Sequence, residues 1–544
     1  MSTTADPAPT DAPTRMTHAQ ILEAMSGLML SMFVAMLSAT VVSNALPRIL
    51  HELHGGASAY TWVVSATLLT TTASTPIWGK LSDLVSKKLL MQSAIVIFAI
   101  SSVLAGLSHS VQMLITLRAF QGIGAGGIMA MTQVIMASIV SPRERGRYSG
   151  YLGATFAVAT IAGPLIGGVL VDSRFGWRAC FYVGVPFAVA ALIVLQRTLD
   201  LPAIGRTVKV DYLGAALITG GVSLLLIWVS LAGQQFAWGS GDTAAYVSGG
   251  LVLLALAAVV ELRVPEPIIP LRLFRLPTVS LATAAGLLVG VAMYGATIFL
   301  AQYFQIARGE TPTVSGLRTM PMILGLAGSS LVVGRLITRT GRWKRFLVFG
   351  TITASIGFGL LSTIDAHTSF VLLAVYMALV GIGLGATLQN LVLCVQNTVP
   401  IGELGAATAT VSFFRSLGGA IGVSALGAVL AHNVSRDVLR GLHALGINVA
   451  QLGGSGTAIP DVRTLPRPVA AVVESAYADG VARVFLVATP LLLIAIAVVL
   501  FIREVPLRSA GDDDVRRAME SGGAAGEVQG AAVVELASSG RSSG

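Results

Sequence analysis

The chain is dominated by apolar stretches of roughly 20 residues, the length a helix needs to cross a hydrocarbon core about 30 Å thick. Short segments that hold most of the charge separate them. Lipid offers a bare backbone no hydrogen bonds, so a spanning segment must be a helix or part of a closed barrel. Barrel strands alternate polar and apolar residues over about 10 positions, which these stretches do not. The pattern therefore predicts an all-α integral membrane protein.

About fourteen spans are expected on this criterion. They lie near residues 22–46, 58–78, 89–107, 111–139, 147–171, 179–198, 212–232, 243–261, 279–303, 313–336, 345–363, 369–398, 405–431 and 482–502. We expect a six-helix bundle, a linker with two extra helices, and a second six-helix bundle. Their predicted bounds are 21–200, 201–275 and 276–503, and residues 1–20 and 504–544 are expected to be disordered cytoplasmic tails.

The basic residues predict the orientation in the membrane. Only 11% of residues are charged, and the net charge is +9. Lys and Arg recur in alternate loops, about eighteen against five, and do not form the single patch that a nucleic-acid-binding protein would show. We therefore expect both termini in the cytoplasm and the chain in the inner membrane. Cys180 and Cys394 are isolated, so no disulfide, metal or other cofactor is expected.

The chain contains an internal repeat. Gly79-Lys80-Leu81 recurs as Gly334-Arg335-Leu336, and Gly122-Ile123-Gly124-Ala125-Gly126 recurs as Gly381-Ile382-Gly383-Leu384-Gly385. Both offsets are roughly 255 residues, as two fused halves with an insert would give. Transporters built from two such halves place the substrate site at the interface of the halves and expose it alternately to each side. The repeat thus favours a carrier over a receptor or scaffold.

The segment from Gly79 to Lys88 is predicted to close the cytoplasmic turn between spans two and three. Gly79 would permit the turn, Asp83 would meet an arginine or a helix N-terminus, and Lys87 and Lys88 would stay in the cytoplasm. Such a contact would hold one conformation of a rocking bundle. An ordinary basic loop that obeys the topology rule is the alternative.

Arg118 lies inside the fourth predicted span. A charge at such a depth costs at least about 2.5–3.5 kcal/mol on insertion scales, which favours a role in proton relay or substrate contact. An arginine that extends its head to the membrane edge is the alternative. Gly122, Gly124 and Gly127 match a dinucleotide-binding spacing, but no strand precedes them. We expect them to let helices approach closely.

The fifth span carries a glycine and proline motif. Proline kinks a helix, and the glycines add a smooth packing face, which suits a flexible helix at the bundle centre. The thirteenth span echoes the motif from Arg415 to Gly422. The alternative is a tolerated proline, since membrane helices carry more of them. The residues of the motif are Gly153, Gly163, Pro164, Gly167 and Gly168.

These motifs resemble those of the major facilitator superfamily. The loop from Gly79 resembles its hallmark motif, and Arg118 to Gly124 resembles its span-four motif, in which the arginine is associated with proton transfer. The motif from Gly153 to Gly168 is similar to that of its antiporters. With fourteen spans and residues 37–47, the chain resembles the fourteen-spanner drug/proton antiporters of the EmrB/QacA type. The resemblance implies proton-coupled export of amphiphilic drugs or antibiotics.

The chain also departs from that family. Ser38 stands where members commonly have an aspartate, Leu84 and Ser86 replace arginine and glycine, and Thr338 replaces the second copy of Asp83. No Asp or Glu lies at a central position of a predicted span. Proton coupling needs a titrating group. We therefore expect coupling through Asp83 and Arg118 in the cytoplasmic half, or else a purely structural role for Asp83.

The missing carboxylate bears on the substrate as well. Without it a cation in the cavity would be unpaired, so we expect large neutral or zwitterionic amphiphiles in preference to quaternary cations. Helix–helix hydrogen bonding is the alternative for each lining residue. The expected lining residues are Ser38, Ser43, Asn44, Trp62, Thr67, Gln121, Gln133, Tyr294, Gln302, Gln389, Asn390 and Arg415.

The expected partners are membrane lipid, small amphiphilic molecules and protons, with no nucleic acid and no second copy of the chain. No phosphate-binding loop is present, so direct use of ATP is not expected. A dedicated exporter of one endogenous metabolite or lipid, and a facilitator not coupled to protons, remain alternatives.

Overall fold

The computed structural model describes residues 18–54, 57–173, 176–199, 211–232, 236–237, 239–264, 267–445 and 466–507. These residues form helices and, apart from one isolated bridge between Ala232 and Phe236, no β-structure. The first nine helices are α1 (His18–Glu52), α2 (Ala57–Leu84), α3 (Lys87–Gly106), α4 (Val111–Ile139), α5 (Pro142–Asp172), α6 (Ala179–Tyr182), α7 (Val185–Thr198), α8 (Tyr212–Leu231) and α9 (Gly241–Glu261).

Seven further helices follow, with short 3₁₀ turns at Leu271–Arg275 and Ile401–Glu403 and a π turn at Tyr303–Ala307. They are α10 (Pro277–Gln302), α11 (Pro312–Arg318), α12 (Met320–Thr340), α13 (Lys344–Leu361), α14 (Phe370–Thr398), α15 (Leu404–Ala444) and α16 (Arg467–Phe501). The predicted tails lie mostly outside the described residues, as do Arg174 and the segment 201–210.

In the described part of the chain, thirteen helical segments are long and apolar enough to cross a membrane. The expected count was about fourteen. The missing span is α2, which has the length, at 28 residues, but carries many Ser and Thr residues that lower its hydropathy. Several of these hydroxyls donate to backbone carbonyls, including Thr67 to Arg118 at 3.2 Å and Thr71 to Gly122 at 3.0 Å. The polarity of α2 is therefore used in packing against α4.

The structure corrects the predicted turn at Gly79. This residue lies inside α2, which continues to Leu84, and only Val85 and Ser86 separate α2 from α3. Gly79 is therefore not needed to permit a turn. In the repeated segment the turn glycine is Gly341, whose φ of 68° is in the left-handed region that favours glycine.

The last two helices are longer than their predicted spans. α15 has 41 residues and α16 has 35, against predicted spans of 405–431 and 482–502. The described ends of the expected outer loop, 433–444 and 467–480, are thus helical. Gly441 packs against Val472, and Gly480 packs against Leu430, so the two helices remain in contact along these extensions.

The chain divides into two compact units, and each is described on its own. The first comprises Met1–Ile139 and Val158–Ile268, and the second comprises Val140–Ala157 and Ile269–Gly544. The inserted helices α8 and α9 pack against each other in the first unit, where α8 also contacts α2. The separate linker at 201–275 therefore stays a prediction.

Glycines bring the helices of each unit close together. In the first unit, a Cβ on Gly122 would lie 2.1 Å from Thr70 Oγ1 of α2, and one on Gly124 would lie 2.6 Å from the backbone nitrogen of Phe98 of α3. In the second, a Cβ on Gly381 would meet α12, and one on Gly383 would meet α13. The predicted packing role of these glycines is confirmed, and the sequence repeat extends to the packing of α4 and α14.

Candidate substrate and coupling site

A buried polar cluster in the first unit contains Arg118. Arg118 and Gln121 lie one turn apart on α4, and Ser38 of α1 and Ser102 of α3 face them. Their exposed fractions are 4%, 1%, 3% and 1%, in that order. Three helices thus contribute polar side chains to one water-poor position.

Hydrogen bonds connect this cluster. Arg118 Nη1 donates to Gln121 Oε1 at 2.6 Å. Gln121 Nε2 donates to Ser38 Oγ at 3.1 Å and to Ser102 Oγ at 2.6 Å. Arg118 Nε is buried without an acceptor among the described residues. Within the described part of the chain, the guanidinium of Arg118 is therefore hydrogen-bonded to an amide and pairs with no carboxylate.

The structure does not bring Asp83 and Arg118 together. Thr67 donates to the carbonyl of Arg118, whereas Asp83 lies sixteen residues further along α2, about 24 Å at about 1.5 Å per residue. Asp83 instead acts electrostatically on Lys87 at the start of α3. Ser38 is the residue that lies one amide away from Arg118, and coupling through Asp83 and Arg118 stays a prediction.

The second unit contains a half-buried arginine, Arg415. A Cβ on Gly290 of α10 would lie 2.0 Å from the carbonyl oxygen of Arg415, and the ring of Tyr294 packs against Gly419, one turn further along α15. The half-buried Arg415 side chain forms no hydrogen bond or ion pair with any residue that the structure describes. The Tyr294 phenol is a polar group within its electrostatic reach.

The glycine motif of α5 contacts two different helices. Gly153, together with Gly146, packs against α12 in the second unit, where a Cβ on Gly334 would lie 2.0 Å from the Gly146 carbonyl oxygen. In the first unit, a Cβ on Gly163 would lie 2.0 Å from Thr40 Oγ1 of α1. Gly167 is buried. Pro164 and Gly168 lie within α5, but their surroundings are outside the described part.

The other expected cavity residues lie at several places along their helices. Trp62 and Gln302 are half-buried near the ends of their helices, and Gln133 is buried twelve residues beyond Gln121. Asn390 donates to the carbonyl of Ala386 within its own helix, which supports a packing role. Thr67 donates a hydrogen bond to α4, and Gln389 is half-buried on α14. The side chains of Ser43 and Asn44 are outside the described part.

An ion-pair network that sequence reasoning missed joins α15 and α16. Arg483 Nη1 donates to Asn433 Oδ1 and to Asp437 Oδ2, each at 2.9 Å. Asn433 and Asp437 are four residues apart and so share a helix face, which was a usable signal. Their pairing with Arg483 depends on how the two helices pack, which spacing does not reveal.

One acidic residue between two spans has a clear titration behaviour. Asp365, which follows α13, accepts hydrogen bonds from the backbone N–H of His367 and the hydroxyl of Thr368. These donors hold the pKa of the Asp365 carboxyl below its usual value. It therefore stays ionised near neutral pH and is poorly suited to carry protons there.

Comparison with known families decides the class of the chain. Residues 28–423 match the family described as Major Facilitator Superfamily. This chain belongs to the Major Facilitator Superfamily. The predicted all-α membrane fold is thereby confirmed, and this major facilitator is a multi-pass membrane transporter.

Relatives of this major facilitator include efflux proteins. It is 36% identical to an uncharacterized MFS-type transporter of Mycobacterium tuberculosis, covering 90% of this chain and 70% of the relative. It is 33% identical to the multidrug transporter protein MdtP of Bacillus subtilis, covering 75% and 74% of the two chains. It is also 33% identical to the efflux pump dotC of Dothistroma septosporum, covering 85% and 80%. The predicted resemblance to drug exporters of the superfamily is confirmed.

A solved structure supports the same fold. The human organic anion transporter MFSD10 superposes with a TM-score of 0.57 at 16% identity, covering 87% of this chain and 99% of that one. At this identity the likeness concerns the fold alone.

Proposed function

We propose that this major facilitator is a proton-driven antiporter that exports amphiphilic drugs or antibiotics across the cytoplasmic membrane. The observation that carries the proposal is the buried Arg118 cluster, which holds a charge inside a transporter related to a multidrug transporter and to efflux pumps. A charge in that position is costly, so a role in transport is the default expectation. The chain would act as a monomer, with both termini in the cytoplasm.

Flexible polar contacts support a broad substrate range. The amide of Gln121 and the hydroxyls of Ser38 and Ser102 form bonds that are each weaker than an ion pair and exchange readily with a bound solute. Such groups hydrogen-bond varied ligands without demanding one charge pattern. A dedicated exporter of one metabolite or lipid would instead show transport of a single compound in competition assays.

A second candidate function is facilitated diffusion without proton coupling. Ser38 favours it, because this residue occupies the place beside the Arg118 cluster where related antiporters commonly carry an acid. A hydroxyl does not titrate in the physiological range, so it offers no proton-binding step there. If the protein is instead a proton-coupled antiporter, coupling depends on an acid other than residue 38, and Asp83 is our candidate.

The test uses the purified full chain in proteoliposomes with an imposed pH gradient and fluorescent amphiphiles. An antiporter accumulates the dye against its gradient and loses that accumulation when an ionophore collapses the pH difference. A facilitator only equilibrates the dye, with or without the ionophore. Vesicles that show no flux above protein-free controls would refute both functions.

A further inference from the structure

We infer that the transported amphiphile carries an anionic group, such as a sulfonate, carboxylate or phosphate, which pairs with Arg415 during transport. The inference rests on the proposed export function and specifies its substrate class. It replaces the expectation of neutral or zwitterionic amphiphiles, which came from the missing carboxylate and from the uncharged polar lining residues.

The position of Arg415 suits a solute contact. Its carbonyl faces Gly290, which lies midway along the 26 residues of α10. The atoms of Arg415 nearest to Gly290 are backbone atoms, so the helices meet at Gly290 through the Arg415 backbone. The side chain is half-buried, so part of its surface remains open to a solute.

Arg415 lacks a fixed counterion. It makes no hydrogen bond or ion pair with the residues described, although the guanidinium has five N–H donors. The nearby phenol of Tyr294 is a polar neighbour of Arg415 and not a carboxylate. An anionic ligand would satisfy several donors at once through the two-pronged geometry that guanidinium and acidic groups share.

The charged residues at central positions of the predicted spans are positive, as Arg415 is. Arg118, in the first unit, also lacks a carboxylate partner, and no Asp or Glu occupies a central position of a predicted span. At Arg415 a cationic solute would meet an uncompensated positive charge, and a neutral solute would leave that guanidinium without an ionic partner. An anionic amphiphile is the solute that lowers this cost.

The experiment compares three dansyl-labelled alkyl chains of equal length, which end in a sulfonate, a hydroxyl or a trimethylammonium group. The sulfonate and trimethylammonium groups keep their charges at all working pH values, so the pH gradient does not redistribute these probes by itself. Proteoliposomes are made of phosphatidylcholine, because anionic lipid headgroups offer the same chemistry as the probe. The chains compared are wild type, Arg415→Gln, Arg415→Lys and the exposed control Arg339→Gln.

We expect wild type to transport the sulfonate at least about tenfold faster than the trimethylammonium probe. Arg415→Gln should lower the sulfonate-to-hydroxyl ratio by about tenfold to a hundredfold, because a charge-assisted hydrogen bond is lost. Arg415→Lys keeps the positive charge but loses the two-pronged guanidinium geometry, so its sulfonate-to-hydroxyl ratio should fall between those of wild type and Arg415→Gln. This variant preserves the test if Arg415→Gln does not fold. Arg339→Gln should behave like wild type.

The outcomes separate the two proposals. An unchanged ratio in Arg415→Gln and Arg415→Lys, or a wild-type preference for the trimethylammonium probe, overturns the anion inference. If wild type accumulates only the hydroxyl or trimethylammonium probe, export stands and the inference falls. If the sulfonate equilibrates but is never accumulated, the inference stands and proton-driven export falls. Failure to move any probe removes both.

Discussion

Arg118 donates a hydrogen bond to Gln121 one turn further along α4. The amide nitrogen of Gln121 in turn donates hydrogen bonds to serine hydroxyls of α1 and α3. The guanidinium is thus held by dipoles in a place where related antiporters commonly offer an acid. Ser38, which lies one amide away from Arg118, is a position on α1 at which a single substitution could place an acid near this charge.

Ser38→Asp should be tolerated in the folded protein and should change its substrate preference. The new carboxylate would lie beside Gln121 and close enough to Arg118 for the two charges to compensate. We expect transport of the trimethylammonium probe to rise at least about tenfold relative to the hydroxyl probe. Proteoliposome flux with the matched dansyl probes measures this ratio.

Ser31→Asp is the matched control for that substitution. Ser31 is also buried on α1, but it donates to Gly27 and lies two turns from Ser38. Among the residues that the structure describes, no cation forms a hydrogen bond or ion pair with Ser31, so the apparent melting temperature of Ser31→Asp in detergent should fall well below that of Ser38→Asp. Equal melting temperatures for the two variants would contradict the assignment of Ser38 to the Arg118 cluster.

Gln121→Leu should destabilise the protein by about 1–3 kcal/mol, because Arg118 would lose its side-chain acceptor inside the membrane. The apparent melting temperature in detergent is the measurement. Gln112→Leu, an exposed change on the same helix, should have little effect. A Gln121→Leu protein as stable as wild type would show that Arg118 finds another acceptor.

Gly334→Val should disturb the contact between α5 and α12. A Cβ at Gly334 would lie 2.0 Å from the carbonyl oxygen of Gly146, so the helices must separate. Overpacking of this kind costs about 1–3 kcal/mol, and we expect a lower melting temperature together with slower flux. Gly328→Val is the control, since a Cβ there has no neighbour within 4 Å. Wild-type stability and flux in Gly334→Val would contradict this packing.

Asp83→Asn should abolish accumulation driven by the pH gradient while the protein remains folded and inserted. The reason is that Asp83 is our candidate for the group that binds and releases the proton. The measurement is flux across a series of imposed pH differences, with the exposed Asp242→Asn as control. Undiminished dependence on the pH difference would assign Asp83 to the structural contact with Lys87 instead.

Much of the fold could be predicted because lipid makes span length a strict constraint. The exceptions have physical causes. α2 is less apolar than the other spans because it carries hydroxyl groups, which form hydrogen bonds to α4. α15 continues past its apolar stretch because charged residues such as Arg436 and Asp437 do not interrupt a helix. Gly79 stays helical because the turn is formed by the two residues after Leu84.

The site was less accessible to prediction. The depth of Arg118 could be anticipated from its position in a span, and Ser38 from its departure from the family pattern. The bonds that join Gln121 to Ser38 and Ser102 depend on the rotation of α1 and α3 about their axes. Spacing along the chain carries no record of that rotation, so the hydrogen bonds of the Arg118 cluster could not be predicted from the sequence.

The 41 residues of α15 make a rod of about 62 Å, roughly twice the thickness of the hydrocarbon core. Its distal part is braced against α16 by Arg483 and Asp437. Because the helix is long and stiff, a tilt of a few degrees within the lipid would move its far end by several ångströms. A spin label on the exposed Arg440 would consequently report the movement of α15 during transport, without a probe in the spans.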